Sequence, residues 1–284
     1  MGKVYRRVIE WFKAVVLGIA YQEAFHAKIA LHYHLKKRTP KKTVFILCYP
    51  RTGSNLLISN LNSVPGVFVG GEILSRRHRF GRFNKFISKE TVLNHVRYFA
   101  NYHGQKLSGN KIFFFHLKTH GLSLKEVGEA FPDACWIVLY RKNILDQYIS
   151  YKIAHKTGRW GQTRSSDRPQ LDDSRVDLFP KSALGYQERV QKSYREVLTL
   201  SRIRERSLWI NYEELTTDPQ QLFDEAIFPF LGLDSSPVST DLIRQNIWRY
   251  SEILSNYDQV KNFVERADFT QNYARHPKKN GVTA

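Results

Sequence analysis

The sequence predicts an α/β protein with three layers, in which helices flank a central and mostly parallel sheet. Short apolar runs, which are typical of strands buried on both faces, alternate along the chain with segments of helical spacing. This alternation is typical of parallel strands joined by helical crossovers. In addition, 42% of the 284 residues are hydrophobic, which is enough to fill a large core.

The strands are predicted where apolar residues are nearly continuous. Thr43–Cys48 and Cys135–Tyr140 are the clearest, because a polar residue hardly interrupts either run. Weaker strands are predicted over Val67–Val69, Lys111–Leu117 and Leu208–Ile210. Helices are predicted between them, over Asn55–Leu61, within 119–130, and over Ile144–Ala154, Ala183–Leu200 and Pro219–Leu231. Residues 155–182 are polar and are predicted to form a long loop.

Residues 1–42 are predicted to be a basic, helical N-terminal segment that precedes one domain over residues 43–284. The helix is indicated by apolar residues at helical spacing, namely Val8, Trp11, Phe12, Val15 and Ile19. Such a helix either lies in a membrane interface or packs on its own domain. Its longest apolar run has eight residues, whereas a membrane-spanning helix needs about 20. We therefore expect a cytoplasmic protein and leave peripheral contact with a membrane open.

The charge of the chain indicates an anionic partner. Lys and Arg total 44 against 26 Asp and Glu, which gives a formal net charge of +18. Nucleic acid, a membrane surface, an acidic polysaccharide and a phosphorylated or sulfated ligand all fit this charge. The two cysteines cannot form a disulfide framework and have no metal-ligand spacing, so we expect a reducing compartment and no structural zinc.

The strongest motif is the polar turn between Cys48 and Leu57, which follows a predicted buried strand and opens a predicted helix. At such a turn the first backbone N–H groups of the helix lack partners, and the positive end of its dipole attracts anions. Gly53 permits close approach of an anion, and Arg51 adds a fixed positive charge. Further donors are expected from Thr52, Ser54 and Asn55. Neither the Walker A pattern nor the GxGxxG fingerprint is present.

The segment Tyr-Pro-Arg-Thr-Gly-Ser-Asn at 49–55 resembles the 5′-phosphosulfate loop of sulfotransferases, which use 3′-phosphoadenosine 5′-phosphosulfate (PAPS) as donor. The resemblance implies the P-loop-NTPase-like sulfotransferase fold, PAPS as co-substrate and no metal. It also implies that the donor is bound by Arg51, Thr52, Gly53, Ser54, Asn55 and Leu56. Cytosolic members usually have Lys where this chain has Arg51, so the chain is more similar to the carbohydrate-acting and bacterial branches.

Two later segments extend the resemblance to the other end of the donor. In the family, an Arg after a strand and a Ser in the next helix hold the 3′-phosphate. Here Arg141 and Ser150 occupy these places, but they are nine positions apart instead of the usual eight, so Lys142 is an alternative to Arg141. Tyr212, in a Tyr-Glu-Glu-Leu segment followed by Phe-Leu-Gly, resembles a tyrosine that approaches the adenine. A buried core tyrosine is the alternative for Tyr212.

The resemblance also implies the catalytic residues. Sulfuryl transfer, like phosphoryl transfer, needs positive charge at the departing oxygen, for which Arg51 and Lys118 are candidates. The acceptor needs a base, and two residues compete for that role. His120 lies in a Lys-Thr-His segment similar to that of cytosolic members, and Glu72 lies where glycan- and glycolipid-acting members often have a Glu. We expect Glu72 to stay ionised beside Arg51 and Lys118.

The function predicted is transfer of a sulfuryl group from PAPS, by in-line single displacement, to a hydroxyl or amine of an acceptor. A sugar or glycolipid is favoured as acceptor, other hydroxyl compounds remain open, and the loop at 155–182 is a candidate acceptor lid. The alternatives are a basic protein that binds nucleic acid or a membrane surface, and a P-loop-like nucleotide kinase. No nucleic-acid-binding motif is present, so nucleic acid is not expected as partner.

Overall fold

The structure, a computed structural model, describes residues 42–75, 88–101, 106–161, 170–242 and 248–275. The predicted helix in residues 1–42 lies outside the described residues. No helix in the described ranges is both long and apolar enough to cross a membrane.

The core of the fold is a five-stranded parallel sheet, as the sequence predicts. The strands lie in the order β2-β3-β1-β4-β5. Parallel pairing is seen between β2 and β3, where Val67 lies opposite Leu107, and between β4 and β5, where Tyr140 lies opposite Asn211. Every residue of β3, β4 and β5 is buried. The strands are β1 (Lys42–Cys48), β2 (Val67–Gly70), β3 (Leu107–Phe113), β4 (Cys135–Tyr140) and β5 (Ser207–Asn211).

The chain divides into two compact units, and β1 contributes to both. The described residues of Gly66–Cys135, with the beginning of β1, form the first unit. Its helices are α2 (Lys89–Asn101), α3 (Phe114–Thr119) and α4 (Leu124–Ala130). The N-terminus of α4 has a capping box, in which Ser123 and Glu126 satisfy each other's backbone N–H groups.

In the first unit one prediction is wrong and one helix was missed. The predicted strand Lys111–Leu117 ends at Phe113, and the chain continues directly into α3, which carries His116 and Lys118. A short apolar run has no periodicity that separates a buried strand from a buried helix, so the boundary could not be read from the sequence. Helix α2 was not predicted, although Ser88 caps it by accepting a hydrogen bond from the backbone N–H of Thr91 at 3.2 Å.

The second unit contains Ile46–Pro65 and the described residues after Cys135. It includes the turn after β1, helix α1 and all of the C-terminal half. Predicted helices are present with shifted ends. The predicted loop at 155–182 is shorter than expected, because α5 (Ile144–Thr157) extends into it, α6 (Leu171–Ser174) lies within it and α7 (Pro180–Thr199) begins in it. Within the predicted helix Pro219–Leu231, residues Phe223–Ile227 form a π-helical turn between two short α-helices. The helices are α1 (Ser54–Asn62), α5 (Ile144–Thr157), α6 (Leu171–Ser174), α7 (Pro180–Thr199), α8 (Ser201–Arg204), α9 (Tyr212–Thr217), α10 (Pro219–Leu222), α11 (Phe228–Leu231), α12 (Tyr250–Ile253) and α13 (Tyr257–Arg266).

Candidate functional site

The turn between β1 and α1 presents an uncapped helix N-terminus. Gly53 is the N-cap residue, no side chain caps the helix, and its first turn contains no acidic residue. The first backbone hydrogen bond of the helix runs from the N–H of Leu57 to the carbonyl of Gly53 at 3.0 Å. The positive end of this nine-residue helix is therefore not neutralised by a cap or by a carboxylate of its own first turn.

Gly53 is required at this turn for two independent reasons. Its φ of 81° lies in the left-handed region, which L side chains rarely adopt. A Cβ atom at this position would also lie 2.5 Å from Cδ2 of Tyr212, which is far inside van der Waals contact. The ring of Tyr212 thus packs directly against the backbone of the turn, as a residue lining a ligand site would.

Arg51 is held over the same turn by residues distant in the sequence. Its Nε donates a hydrogen bond to Oγ of Ser150 at 2.9 Å, and its Nη1 donates to the carbonyl of Trp160 at 2.9 Å. Arg51 has a φ of 68°, so its backbone adopts a conformation that is costly for a residue with a Cβ. Such strain persists only where surrounding contacts hold it, and these two hydrogen bonds are such contacts.

The guanidinium of Arg51 lies in an unfavourable environment for a cation. Burial lowers its pKa from 12.5 to about 10, the positive charge of Arg141 acts in the same direction, and Tyr212 opposes them. Two positive groups in one partly buried place repel each other. An anion bound between them would remove that repulsion, so this pair of arginines suits a phosphate or sulfate group.

Arg141 is also fixed in place, chiefly by carboxylates. It is 8% exposed, and its Nη2 lies 3.1 Å from Oδ2 of Asp146. Its Nε lies 3.9 Å from Oε1 of Glu213, and its guanidinium is 4.7 Å from the centre of the Tyr212 ring. Asp146 and Glu213 were not predicted as site residues. A phosphate at Arg141 would share the guanidinium with these two carboxylates.

Lys142, the alternative to Arg141 as a ligand of the 3′-phosphate, is positioned through its backbone. Its N–H donates to Oε2 of Glu213 at 3.0 Å, and its carbonyl accepts a hydrogen bond from the N–H of Gln271 at 2.9 Å. Its side chain is half-buried. The neighbouring carbonyl of Arg141 accepts from Nε2 of Gln271 at 2.8 Å. The segment around Gln271 thus holds the whole turn after β4.

The other predicted loop residues differ in their exposure. Thr52 is buried, and its hydroxyl donates to the carbonyl of Tyr49 at 2.9 Å, so its side chain braces the turn where an anion contact was expected. Ser54 is buried at the first position of α1, Asn55 is exposed, and Leu56 is half-buried. These three residues contribute the first backbone N–H groups of the helix.

Sequence reasoning missed Gln147, which supports the turn from α5. It is fully buried, and its Nε2 donates to the carbonyl of Pro50 at 2.9 Å. The sequence holds one signal for it, since a polar residue stands among the mostly apolar positions of a buried helix. Such a residue needs a hydrogen-bond partner, but the sequence does not say which one.

The base candidates Glu72 and His120, together with Lys118, lie in the first unit. Oε1 of Glu72 forms an ion pair at 3.0 Å with Nζ of Lys111, a residue to which the sequence analysis gave no role. The expected neighbours of Glu72 were Arg51 and Lys118. Lys118 is exposed on α3, and the buried His120 lies just after that helix, with its Nε2 3.0 Å from the carbonyl of Leu74.

A polar cavity of about 330 Å³ lies within the predicted acceptor lid, in the second unit. It contains cationic, anionic and hydroxyl side chains together. One edge is formed by the end of α5, and the other by the first residues of α6. The lining residues are Lys156, Thr157, Arg159, Asp172 and Asp173. Within the described ranges, no group of three or more His, Cys, Asp or Glu side chains could hold a metal ion.

Comparison with known proteins gives a match to a family model, and sulfotransferases are among the solved structures that are similar. A model of the sulfotransferase family matches residues 43–237. A sulfotransferase from Alicyclobacillus acidocaldarius is 17% identical, and the alignment covers 79% of this chain and 91% of that one with a TM-score of 0.46. Mouse sulfotransferase SULT7A1, in a complex with PAP, is 16% identical, and the alignment covers 69% of this chain and 61% of that one with a TM-score of 0.41. No curated protein matches the sequence.

Proposed function

The chain belongs to the sulfotransferase family, and on that premise we propose that it transfers a sulfuryl group from PAPS to a hydroxyl group or amine of a carbohydrate or glycolipid. The observation that carries the proposal is the pair of guanidinium groups beside the uncapped N-terminus of α1, from the half-buried Arg51 and the buried Arg141. A donor with a 5′-phosphosulfate and a 3′-phosphate supplies anions for both. When bound, PAPS supplies the sulfuryl group that is transferred.

The residues present suit such a donor in charge and in shape. The N-terminus of α1 and Arg51 would bind the phosphosulfate, because backbone N–H groups and a guanidinium are the usual ligands of phosphate oxygens. Arg141 and Ser150 would bind the 3′-phosphate, with Lys142 as a second cation. Tyr212, which packs against Gly53 and under Arg141, offers an aromatic face to the adenine.

Ser150 links the two ends of the proposed donor site. Its hydroxyl accepts the hydrogen bond from Nε of Arg51. A hydroxyl can also donate, so Ser150 can contact a phosphate oxygen while it still accepts from Arg51. Removal of the hydroxyl should therefore weaken donor binding at both ends.

In the proposed chemistry the protein moves one proton and stabilises one departing charge. Glu72 accepts the proton of the acceptor hydroxyl, while the acceptor oxygen forms its bond to sulfur and the bond from sulfur to the phosphate oxygen breaks. Arg51 stabilises the negative charge left on that phosphate oxygen. Lys118 stays a candidate for a second cation at the same oxygen.

Glu72 is favoured over His120 as the base because of their surroundings. The side chain of Glu72 is 37% exposed, so an acceptor can reach it, and its Oε1 pairs with the ammonium group of Lys111. His120 is buried, and its Nε2 is engaged with the carbonyl of Leu74, so the Nε2 nitrogen is not available to take a proton.

The acceptor class is proposed from the polar cavity at the end of α5. Lys156, Arg159 and Thr157 offer donors, and Asp172 and Asp173 offer acceptors. Hydroxyl groups of a sugar both donate and accept, so they suit a lining of this mixed kind. An apolar alcohol would form no hydrogen bonds with this lining beyond those of its single hydroxyl group.

Isothermal titration calorimetry with 3′-phosphoadenosine 5′-phosphate (PAP) tests the donor assignment. We expect binding to the unaltered protein, and a loss of affinity of 10-fold or more in Arg51→Ala and in Ser150→Ala, in line with lost charge-assisted hydrogen bonds. Lys125→Ala is the matched control, because Lys125 is 71% exposed on α4 and pairs only at 3.9 Å with Glu129. Equal affinity in all four proteins would contradict the donor site. Transfer of ³⁵S from labelled PAPS to a panel of neutral sugars and glycolipids then tests the reaction.

A further inference from the structure

Lys111 is a buried lysine whose charge is directed at Glu72. It lies near the end of β3, its side chain is 3% exposed, and its Nζ lies 3.0 Å from Oε1 of Glu72. A lysine ammonium is expensive to bury unless a carboxylate pairs with it. Glu72 meets that requirement from the segment that follows β2, and it reaches the surface at the same time.

The backbone geometry fixes the distance between these two residues. Gly70 lies opposite Asn110 in the parallel pairing of β2 and β3. A Cβ atom at Gly70 would lie 2.6 Å from the Asn110 side chain, which therefore occupies the space that a side chain at Gly70 would need. The next residue, Gly71, accepts a hydrogen bond from the N–H of Lys111 at 3.3 Å. The chain carrying Glu72 is therefore tied directly to the backbone of Lys111.

The side chain of Lys111 is aligned as well as buried. Its Nζ lies 5.0 Å from the centre of the Phe113 ring, and a ring face attracts an ammonium group. Histidines face the same place from α3 and its end. His116 interacts with Glu72 and with His120, and burial lowers the pKa of His116 to about 4, so His116 is neutral at neutral pH. The ammonium that contacts Glu72 at that pH belongs to Lys111.

We propose that Lys111 is a positioning residue for the base: its ammonium holds Oε1 of Glu72 and leaves Oε2 to take the proton of the acceptor hydroxyl. This inference rests on the proposed function, in which Glu72 is that base. A cation that pairs with one oxygen of a base carboxylate orients the other oxygen, so its loss should slow the transfer step more than it weakens donor binding.

A comparison of kcat in the ³⁵S-transfer assay with donor affinity tests the role of Lys111. In Lys111→Met, kcat should fall about 10-fold or more, because the base carboxylate is no longer held in one orientation. The Kd for PAP should stay within about twofold, because the orientation of the base matters to the transfer step and not to donor binding. Lys111→Arg should restore kcat because it restores the cation. Lys125→Met serves as the control and should keep the kcat and the Kd of the unaltered protein.

The outcomes separate this inference from the function on which it rests. If Lys111→Met keeps the original kcat while Glu72→Gln is inactive, Lys111 does not position the base and the inference is wrong, although the proposed base stands. If Glu72→Gln turns over normally, the assignment of the base has failed first. Should Lys111→Met not fold, Lys111→Gln keeps most of the stem and a hydrogen-bond donor but removes the charge. The same fall in kcat is expected for it, and an unchanged kcat overturns the inference.

Discussion

Replacement of Arg51 by Met separates ligand binding from stability at the turn before α1. Burial and the charge of Arg141 lower the pKa of Arg51 from 12.5 to about 10. At about 1.4 kcal/mol per unit of pH, this difference means that the charged form costs the folded protein about 3 kcal/mol. Met removes the charge and also removes the hydrogen bonds to Ser150 and Trp160. Two hydrogen bonds from a charged group stabilise a protein by about 3–6 kcal/mol together, so the net loss in the variant should be about 0–3 kcal/mol.

The sign of the charge effect follows from linkage. A cation whose pKa is lowered by folding destabilises the folded state at every pH below its folded pKa, about 10 here. The cost disappears as the pH rises toward the unfolded value of 12.5. At pH 7 the cost is therefore fully present, and the comparison of the two proteins belongs at that pH.

Urea unfolding at pH 7, with and without PAP, measures both effects. Without nucleotide, the free energy of unfolding of Arg51→Met should be lower than that of the original protein by no more than about 3 kcal/mol, since removal of the charge offsets much of the loss of the two hydrogen bonds. With PAP at about 100 times its Kd, the original protein should gain about 2.7 kcal/mol and the variant much less. The reasoning is refuted if the variant loses more than about 3 kcal/mol without nucleotide, since the guanidinium would then be a structural group.

Three other predictions follow from single contacts. Gly53→Ala places a Cβ atom on a residue in the left-handed region and against the ring of Tyr212. It should therefore lower the free energy of unfolding by about 1–3 kcal/mol and weaken PAP binding at least 10-fold. Unchanged affinity in calorimetry would contradict this. The pKa of His116 is lowered to about 4, so between about pH 6.5 and 4 this residue binds a proton in the unfolded protein but not in the folded one. The free energy of unfolding should therefore fall as the pH drops through that window, and His116→Gln should flatten this dependence. Parallel plots of stability against pH for the two proteins would count against it. Glu72→Gln should reduce kcat by about 10²-fold or more with PAP binding intact, and His120→Ala should not; the reverse result in the ³⁵S assay would make His120 the base.

The strands and helices were predictable where the pattern of hydrophobic residues, or the spacing at which they repeat, is clear in the sequence. The runs at Thr43–Cys48 and Cys135–Tyr140 are recovered as β1 and β4, because strands buried on both faces are mostly apolar. The run before Thr119 was assigned entirely to a strand, but its second half is helix α3. Phe114 and Leu117 are buried there at helical spacing, and a run this short does not reveal which period applies.

The candidate site was predictable where a motif is local and was missed where it depends on partners far along the chain. The turn at Arg51–Gly53 was recognised from consecutive residues. Its hydrogen bond to Ser150 crosses 99 positions, and no spacing rule predicts such a contact. The pairing of Glu72 with Lys111 depends in the same way on the register of β2 and β3. A sequence shows that a charge must find a partner, but only the packed sheet determines which partner it finds.

The central claim is that the turn before α1, the half-buried Arg51 and the buried Arg141 bind the anionic groups of an adenosine bisphosphate donor. A crystal structure of this chain with PAP tests this most directly. The account predicts the 5′-phosphate at the N–H groups of Ser54–Leu56 and at Arg51, and the 3′-phosphate at Arg141 and Ser150. A nucleotide bound away from the N-terminus of α1 and from both arginines would contradict it.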